Sequence, residues 1–126
     1  MHEHRTERAR VSGLGSARSG TGHFWEQRIS AIALAFLAPF FVYSFAHALG
    51  SDYATVRAIY SQPFNAIVAL GFVLVACLHL VQGLAVIIED YVHGRAGIVW
   101  LIAMRLLVGF VALTGAFAIL KIAFSA

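Results

Sequence analysis

The sequence predicts an all-α integral membrane protein whose three transmembrane helices run up, down and up. Three observations predict it. The chain is 60% hydrophobic and 12% charged, whereas soluble domains hold about 45–50% apolar and about 25% charged residues. The apolar residues gather into three runs, each long enough to supply the roughly 20 residues that a helix needs to cross a bilayer. The segments between the runs are short, so the 126 residues leave no space for a separate soluble domain. The expected organisation is one membrane domain over residues 1–126, with a tail over 1–28 and helices over 29–49, 64–88 and 98–120.

The tail comes first. Met1 to Gly22 is rich in Arg, Ser and Gly, a composition that stays flexible until a partner orders it. His2 and His4 lie close together there, but two histidines in a mobile tail are too weak a pattern for a metal site. The tail is long and polar before the first apolar run, unlike the short charged region of a secretory signal, so it is expected to be retained.

The first span, Ile29 to Leu49, contains no Asp, Glu, Lys or Arg. Pro39 falls inside it. Membrane helices tolerate such a proline when neighbours satisfy the freed carbonyl. The second span, Phe64 to Ile88, is also free of formal charge but contains His79 and Gln82. The third, Ile98 to Leu120, contains Arg105 as its one charge.

Lys and Arg beside the spans predict the orientation. Arg5, Arg8, Arg10, Arg18 and Arg28 all precede the first span, while the connection Gly50–Pro63 holds only Arg57. The N-terminus is therefore expected in the cytoplasm of a bacterium, with the mitochondrial matrix as the second choice. The connection Gly50–Pro63 then lies outside, and the link Asp90–Gly97, with Arg95, lies inside. Lys121 ends up on the outer side, where it can snorkel to the interface.

Several function classes are excluded. The net charge of +3 comes from arginines beside the first span, which is not a nucleic-acid pattern. Cys77 is the one cysteine, so it forms no internal disulfide and reads as a small packing residue. There is no Cys pair for an iron–sulfur cluster, no Gly-rich phosphate loop followed by Lys-Ser or Lys-Thr, and no Ser-His-Asp pattern. Independent hydrolytic or flavin chemistry has no support.

Polar groups inside a span are costly and point to function. His79 lies near the middle of the second span. A neutral imidazole nitrogen there can bind haem iron, or the ring can hydrogen-bond a neighbouring helix; position alone leaves both open. At about 100° per residue, Gly83 stands at about 40° from His79, Val86 at about −20° and Asp90 at about 20°, so all four share one stripe. Gly83 leaves a gap one turn from the histidine, which suits a flat macrocycle or close helix packing equally. Asp90 lies about 16 Å along the axis, at the inner interface. Beside it, Tyr91 is either an aromatic-belt anchor or a phenol that donates to a quinone carbonyl. Asp90 could orient that phenol or take part in proton delivery. Arg28 marks the inner edge of the first span, as a positive-inside residue or as the partner of an anionic group such as a haem propionate. Arg105, about 10 Å into the third span, snorkels or pairs with an acid. His23 and His47 sit near span ends and read as interfacial.

The stretch His79-Leu-Val-Gln-Gly83-Leu-Ala-Val-Ile-Ile-Glu-Asp90-Tyr91 resembles the signature of the succinate dehydrogenase hydrophobic membrane anchor subunit: a histidine, a glycine four residues on, and an Asp-Tyr pair eleven and twelve residues on. Gly20-Thr-Gly-His-Phe-Trp-Glu-Gln-Arg28-Ile-Ser-Ala31 is similar to that family's lead into its first helix, and Asp52-Tyr53-Ala-Thr-Val-Arg57 to its first loop in some members. The resemblance runs from about Gly13 to the C-terminus and has no counterpart for Met1–Ser12. It implies that His79 is one axial ligand of a b-type haem, with the second from the partner membrane anchor subunit. It implies Arg28 at a haem propionate, and Tyr91 hydrogen-bonded to ubiquinone with support from Asp90. It also implies a three-helix membrane-anchor domain that packs against that partner anchor and holds an iron–sulfur subunit and a flavoprotein subunit at the bacterial inner membrane. Electrons from succinate would reach quinone through those partners, while this chain has no flavin or cluster of its own. Membrane lipid is the remaining partner. A fumarate reductase anchor, or a structural membrane protein without cofactor, are the rival readings.

Overall fold

A computed structural model of the chain describes residues 6–12 and 20–125. The His2 and His4 pair, Arg5 and Arg18 lie outside the described residues. Helix α1, Glu7–Ser12, is a short segment of the tail. Three long helices follow: α2, Gly20–Ala48; α4, Pro63–Tyr91; and α5, Gly94–Phe124. Between the first two of these lies α3, Tyr53–Tyr60. Among the described residues every element is a helix, as the sequence predicts, and the three long ones are long and apolar enough to cross a membrane.

The helices outrun the apolar runs. At 29, 29 and 31 residues they extend beyond a hydrocarbon layer about 30 Å thick, since each residue adds about 1.5 Å. Hydropathy marks only the lipid-facing middle. Helix α2 therefore begins at Gly20, which replaces the expectation of flexible chain as far as Gly22. Asp90 and Tyr91 end α4, and Gly94 to Gly97 open α5, so most of the expected inner link is helical. What remains is Val92 and His93, with the Val92 N–H still donating to the Ile88 carbonyl at 2.8 Å. Gly94 makes the reversal with a φ of 69°, a value open to glycine without strain. A Cβ on Gly97 would run into the Val92 carbonyl oxygen.

The connection between α2 and α4, expected on the outer side, contains a helix of its own. Asp52 caps α3, accepting the Thr55 N–H at 3.0 Å. The Thr55 side chain, and then its N–H, hold the Asp52 carboxyl below the usual carboxylate range. Pro63 opens α4, where its missing N–H costs nothing.

Helix α4 is the middle of the layer. It packs against α2 on one side and α5 on the other. The buried residues at these contacts are mostly small: Ser30, Ser44 and Ala48 from α2, Ala66, Val68 and Ala69 from α4, Gly97, Met104 and Val108 from α5. Small residues let backbones approach closely, the main source of helix association in lipid. Gly115 shows the limit, since a Cβ there would stand 3.0 Å from Val73 Cγ1. Between α2 and α4, Phe41 stacks on Phe72 with centroids 4.2 Å apart and planes 10° from parallel. Large apolar side chains such as Phe36, Ile67, Leu106 and Phe117 face outward, as lipid or a partner helix requires.

Candidate functional site

The N-terminal third of α2 places His23, Gln27 and Ser30 at i, i+4 and i+7, which puts them on one side of the helix. That side meets the part of α4 that holds His79 and Gln82. Ser30 is the junction. It is 4% exposed, and its Oγ lies 2.9 Å from His79 Nδ1, 2.9 Å from Gln82 Oε1 and 2.9 Å from the Gln27 carbonyl oxygen. Of the two readings that position left open for His79, the interhelical hydrogen bond is therefore present. It does not compete with ligation, because it engages Nδ1 and leaves Nε2.

His79 also lines an open groove of about 510 Å³, with Phe24, Gln27, Arg28, Ala31 and Ile32. The groove brings together two residues singled out from sequence, Arg28 and His79, from different helices. The Arg28 guanidinium sits over the Phe24 ring, 4.5 Å from its centroid, a contact that steadies a cation without neutralising it. One turn from His79, a Cβ on Gly83 would meet nothing within 4 Å inside this chain. The gap expected beside the histidine is present, and no described residue of this chain fills it.

Asp90 and Tyr91 do not line that groove. They stand on the last turn of α4, about 16 and about 18 Å along the axis from His79, and Tyr91 is 80% exposed. An exposed phenol and carboxylate at the end of a spanning helix can both reach a neighbouring chain or a ligand at the interface.

A second groove, of about 460 Å³, is shared by all three long helices. His23, Glu26, Gln82, Glu89 and Arg105 are among its lining residues. Arg105 thus lines the same groove as the carboxylates of Glu26 and Glu89.

Sequence reasoning did not single out Ser30 or Gln27. The signal was there as a polar stripe, His23, Gln27, Ser30, but hydropathy assigned two of its members to the tail and one to the first span.

Among the described residues, no three His, Cys, Asp or Glu side chains converge on a point where they could hold a metal ion. His79 alone could contribute a single ligand, and a metal already held by a macrocycle requires no more than that from one chain.

The sequence model of the succinate dehydrogenase/fumarate reductase transmembrane subunit family matches residues 2–117. The chain belongs to this family. A succinate dehydrogenase hydrophobic membrane anchor subunit of Paracoccus denitrificans is 38% identical over 89 residues, which cover 71% of this chain and 69% of that one. The anchor subunit of Rickettsia bellii is 32% identical over 91 residues, 72% of this chain and 73% of its own. That of Rickettsia typhi is 26% identical over 93 residues, 74% of each chain. Members of this kind are accessory, non-catalytic subunits of an oxidoreductase complex. The family match starts at residue 2, so all but Met1 of the tail Met1–Ser12, read as having no counterpart, falls within it. With bacterial relatives and three helices able to span, the chain is placed in a bacterial membrane.

Proposed function

We propose that this chain is the anchor subunit that holds one side of a b-type haem and forms part of the site where ubiquinone is reduced with electrons from succinate. The observation that supports it most is the groove in which His79, held at Nδ1 by Ser30, shares its walls with Arg28; Gly83 follows one turn further along α4. His79 would be the axial ligand through Nε2, and Arg28 would meet a propionate through its guanidinium. The residues fit such a group: an imidazole nitrogen and a cation line one groove, and Gly83, one turn on from the histidine, adds no side chain. When bound, a b-type haem supplies a one-electron centre whose potential depends on its ligands and surroundings. The second axial ligand would come from the partner membrane anchor subunit.

Tyr91 would donate its phenolic hydrogen to a ubiquinone carbonyl, and Asp90 would orient that phenol or hand on a proton. Both are exposed at the same end of α4, where the iron–sulfur subunit would dock and cover them. The flavoprotein subunit would oxidise succinate beyond it. The whole chain then acts as one membrane-anchor domain with its N-terminus in the cytoplasm. Fumarate reductase anchors share the family description, but the Paracoccus and Rickettsia relatives are subunits of succinate dehydrogenase, which favours succinate oxidation.

The test is affinity purification in mild detergent, followed by identification of co-purifying chains and a reduced-minus-oxidised spectrum. The expected result is a b-type band together with flavoprotein, iron–sulfur and second anchor subunits. A preparation with none of these would instead make the chain a cofactor-free structural protein.

A further inference from the structure

We infer that Ser30 is a positioning residue that sets the tautomer and the rotation of His79, an inference that rests on the reading of His79 as an axial ligand. The reason lies in how few protons the junction has to share. A serine hydroxyl has one hydrogen to donate and two lone pairs to accept with. Ser30 Oγ has three polar neighbours, each at 2.9 Å: the Gln27 carbonyl oxygen, the Gln82 side-chain amide and His79 Nδ1. The Gln27 carbonyl can only accept. If the hydroxyl donates to it, Oγ must accept from His79, so the ring proton sits on Nδ1. If the hydroxyl donates to Gln82 Oε1 instead, Nδ1 must again be the donor. Only donation to His79 would put the proton on Nε2, and Oγ would then set a lone pair against the Gln27 oxygen at 2.9 Å. Donation to Gln82 would oppose the same two oxygens, and in a junction 4% exposed water cannot relieve that repulsion, so donation to Gln27 prevails and Nδ1 carries the ring proton. Turning the Gln82 amide to present its NH₂ completes this arrangement, with one hydrogen given to Gln27 and two accepted.

The consequence is chemical. A neutral imidazole binds iron through its unprotonated nitrogen, and the hydrogen bond at the other nitrogen fixes which one that is. Ser30 thus presents His79 with the Nε2 lone pair free. It also holds the ring plane from a separate helix, because Ser30 is on α2 and His79 on α4. A hydroxyl acceptor raises ligand basicity modestly and favours the oxidised, more electron-poor iron.

The test uses the fully assembled complex, comparing Ser30→Ala with Ser30→Thr. The readouts are the haem midpoint potential by redox titration and the low-spin ligand-field signature by electron paramagnetic resonance. Ser30→Ala is expected to raise the potential and shift the signature, with His79 still coordinated. Ser30→Thr, which keeps the hydroxyl, is expected to restore both toward the unsubstituted values. If Ser30→Ala fails to assemble, Ser30→Val against Ser30→Thr makes the same comparison with matched shape. An unchanged potential and signature in the hydroxyl-free variant, while His79→Ala loses an axial ligand, overturns the role of Ser30 and leaves the ligand reading standing. An unchanged signature in His79→Ala overturns the ligand reading itself.

Discussion

Ser30 on α2 and His79 on α4 meet across the helix interface with Oγ 2.9 Å from Nδ1. That contact joins the packing of the two helices to the chemistry of the groove. The small side chain of Ser30 lets the backbones approach, and its hydroxyl satisfies a polar group that lipid could not.

Gly83, one turn from His79 on α4, provides a test of the haem reading. Gly83→Leu puts a large side chain into space where a Cβ meets nothing of this chain within 4 Å. The three helices of this chain are expected to fold and insert, while haem content per assembled complex falls. Pyridine haemochrome assay against protein concentration measures it. Full haem content in the variant would mean that the space at Gly83 belongs to lipid or a partner helix.

Tyr91→Phe removes one hydroxyl and keeps the ring, which is already 80% exposed on this chain. A hydrogen bond lost to a bound ligand costs on the order of 1 kcal/mol, and about 1.4 kcal/mol is a factor of ten. Quinone reduction is expected to fall several-fold to tenfold, while succinate oxidation by an artificial soluble dye continues. Asp90→Asn is expected to slow quinone turnover as well. Unchanged quinone turnover and inhibitor sensitivity in Tyr91→Phe would leave the tyrosine as an interfacial anchor.

The packing of α5 on α4 makes a stability prediction with an internal control. Gly115→Leu forces a side chain against Val73, whose Cγ1 would already stand 3.0 Å from a Cβ; overpacking of this kind costs about 1–3 kcal/mol. Gly109→Ala meets nothing within 4 Å inside this chain, and replacing a mid-helix glycine by alanine gains about 0.5–1 kcal/mol. Thermal unfolding in detergent is expected to move down for the first variant and to hold or rise for the second. The reverse order would place Gly109, not Gly115, at a tight helix contact.

Orientation follows from the arginines before the first span. In a Cys77→Ala background, Arg95→Cys is expected to react with a membrane-impermeant thiol reagent only after access to the cytoplasmic side is opened. Labelling of that cysteine from the outside alone would invert the topology.

The spans were legible because lipid imposes a coarse requirement, and a long uncharged run meets it without regard to detail. Their ends were not, because Gly20 to Arg28 and Asp90 to Tyr91 continue helices into a polar interface where hydropathy has no contrast. His79 and Arg28 stood out as ionisable groups at or near apolar runs, and the structure gathers them into one groove. Ser30 did not stand out, since a serine in a membrane helix is common and its value here comes from His79 on another helix. Helix α3 was missed because its eight residues are too short for a periodic pattern, although Asp52 three residues before Thr55 was a capping signal.

The most direct measurement is the electron paramagnetic resonance spectrum of the oxidised haem in the assembled complex, compared with that of His79→Ala. Loss of the six-coordinate low-spin signature is expected even if the partner's ligand keeps some haem in place, because one axial position would be vacated. An assembled His79→Ala complex with the unsubstituted spectrum would contradict the assignment of His79 as an axial ligand.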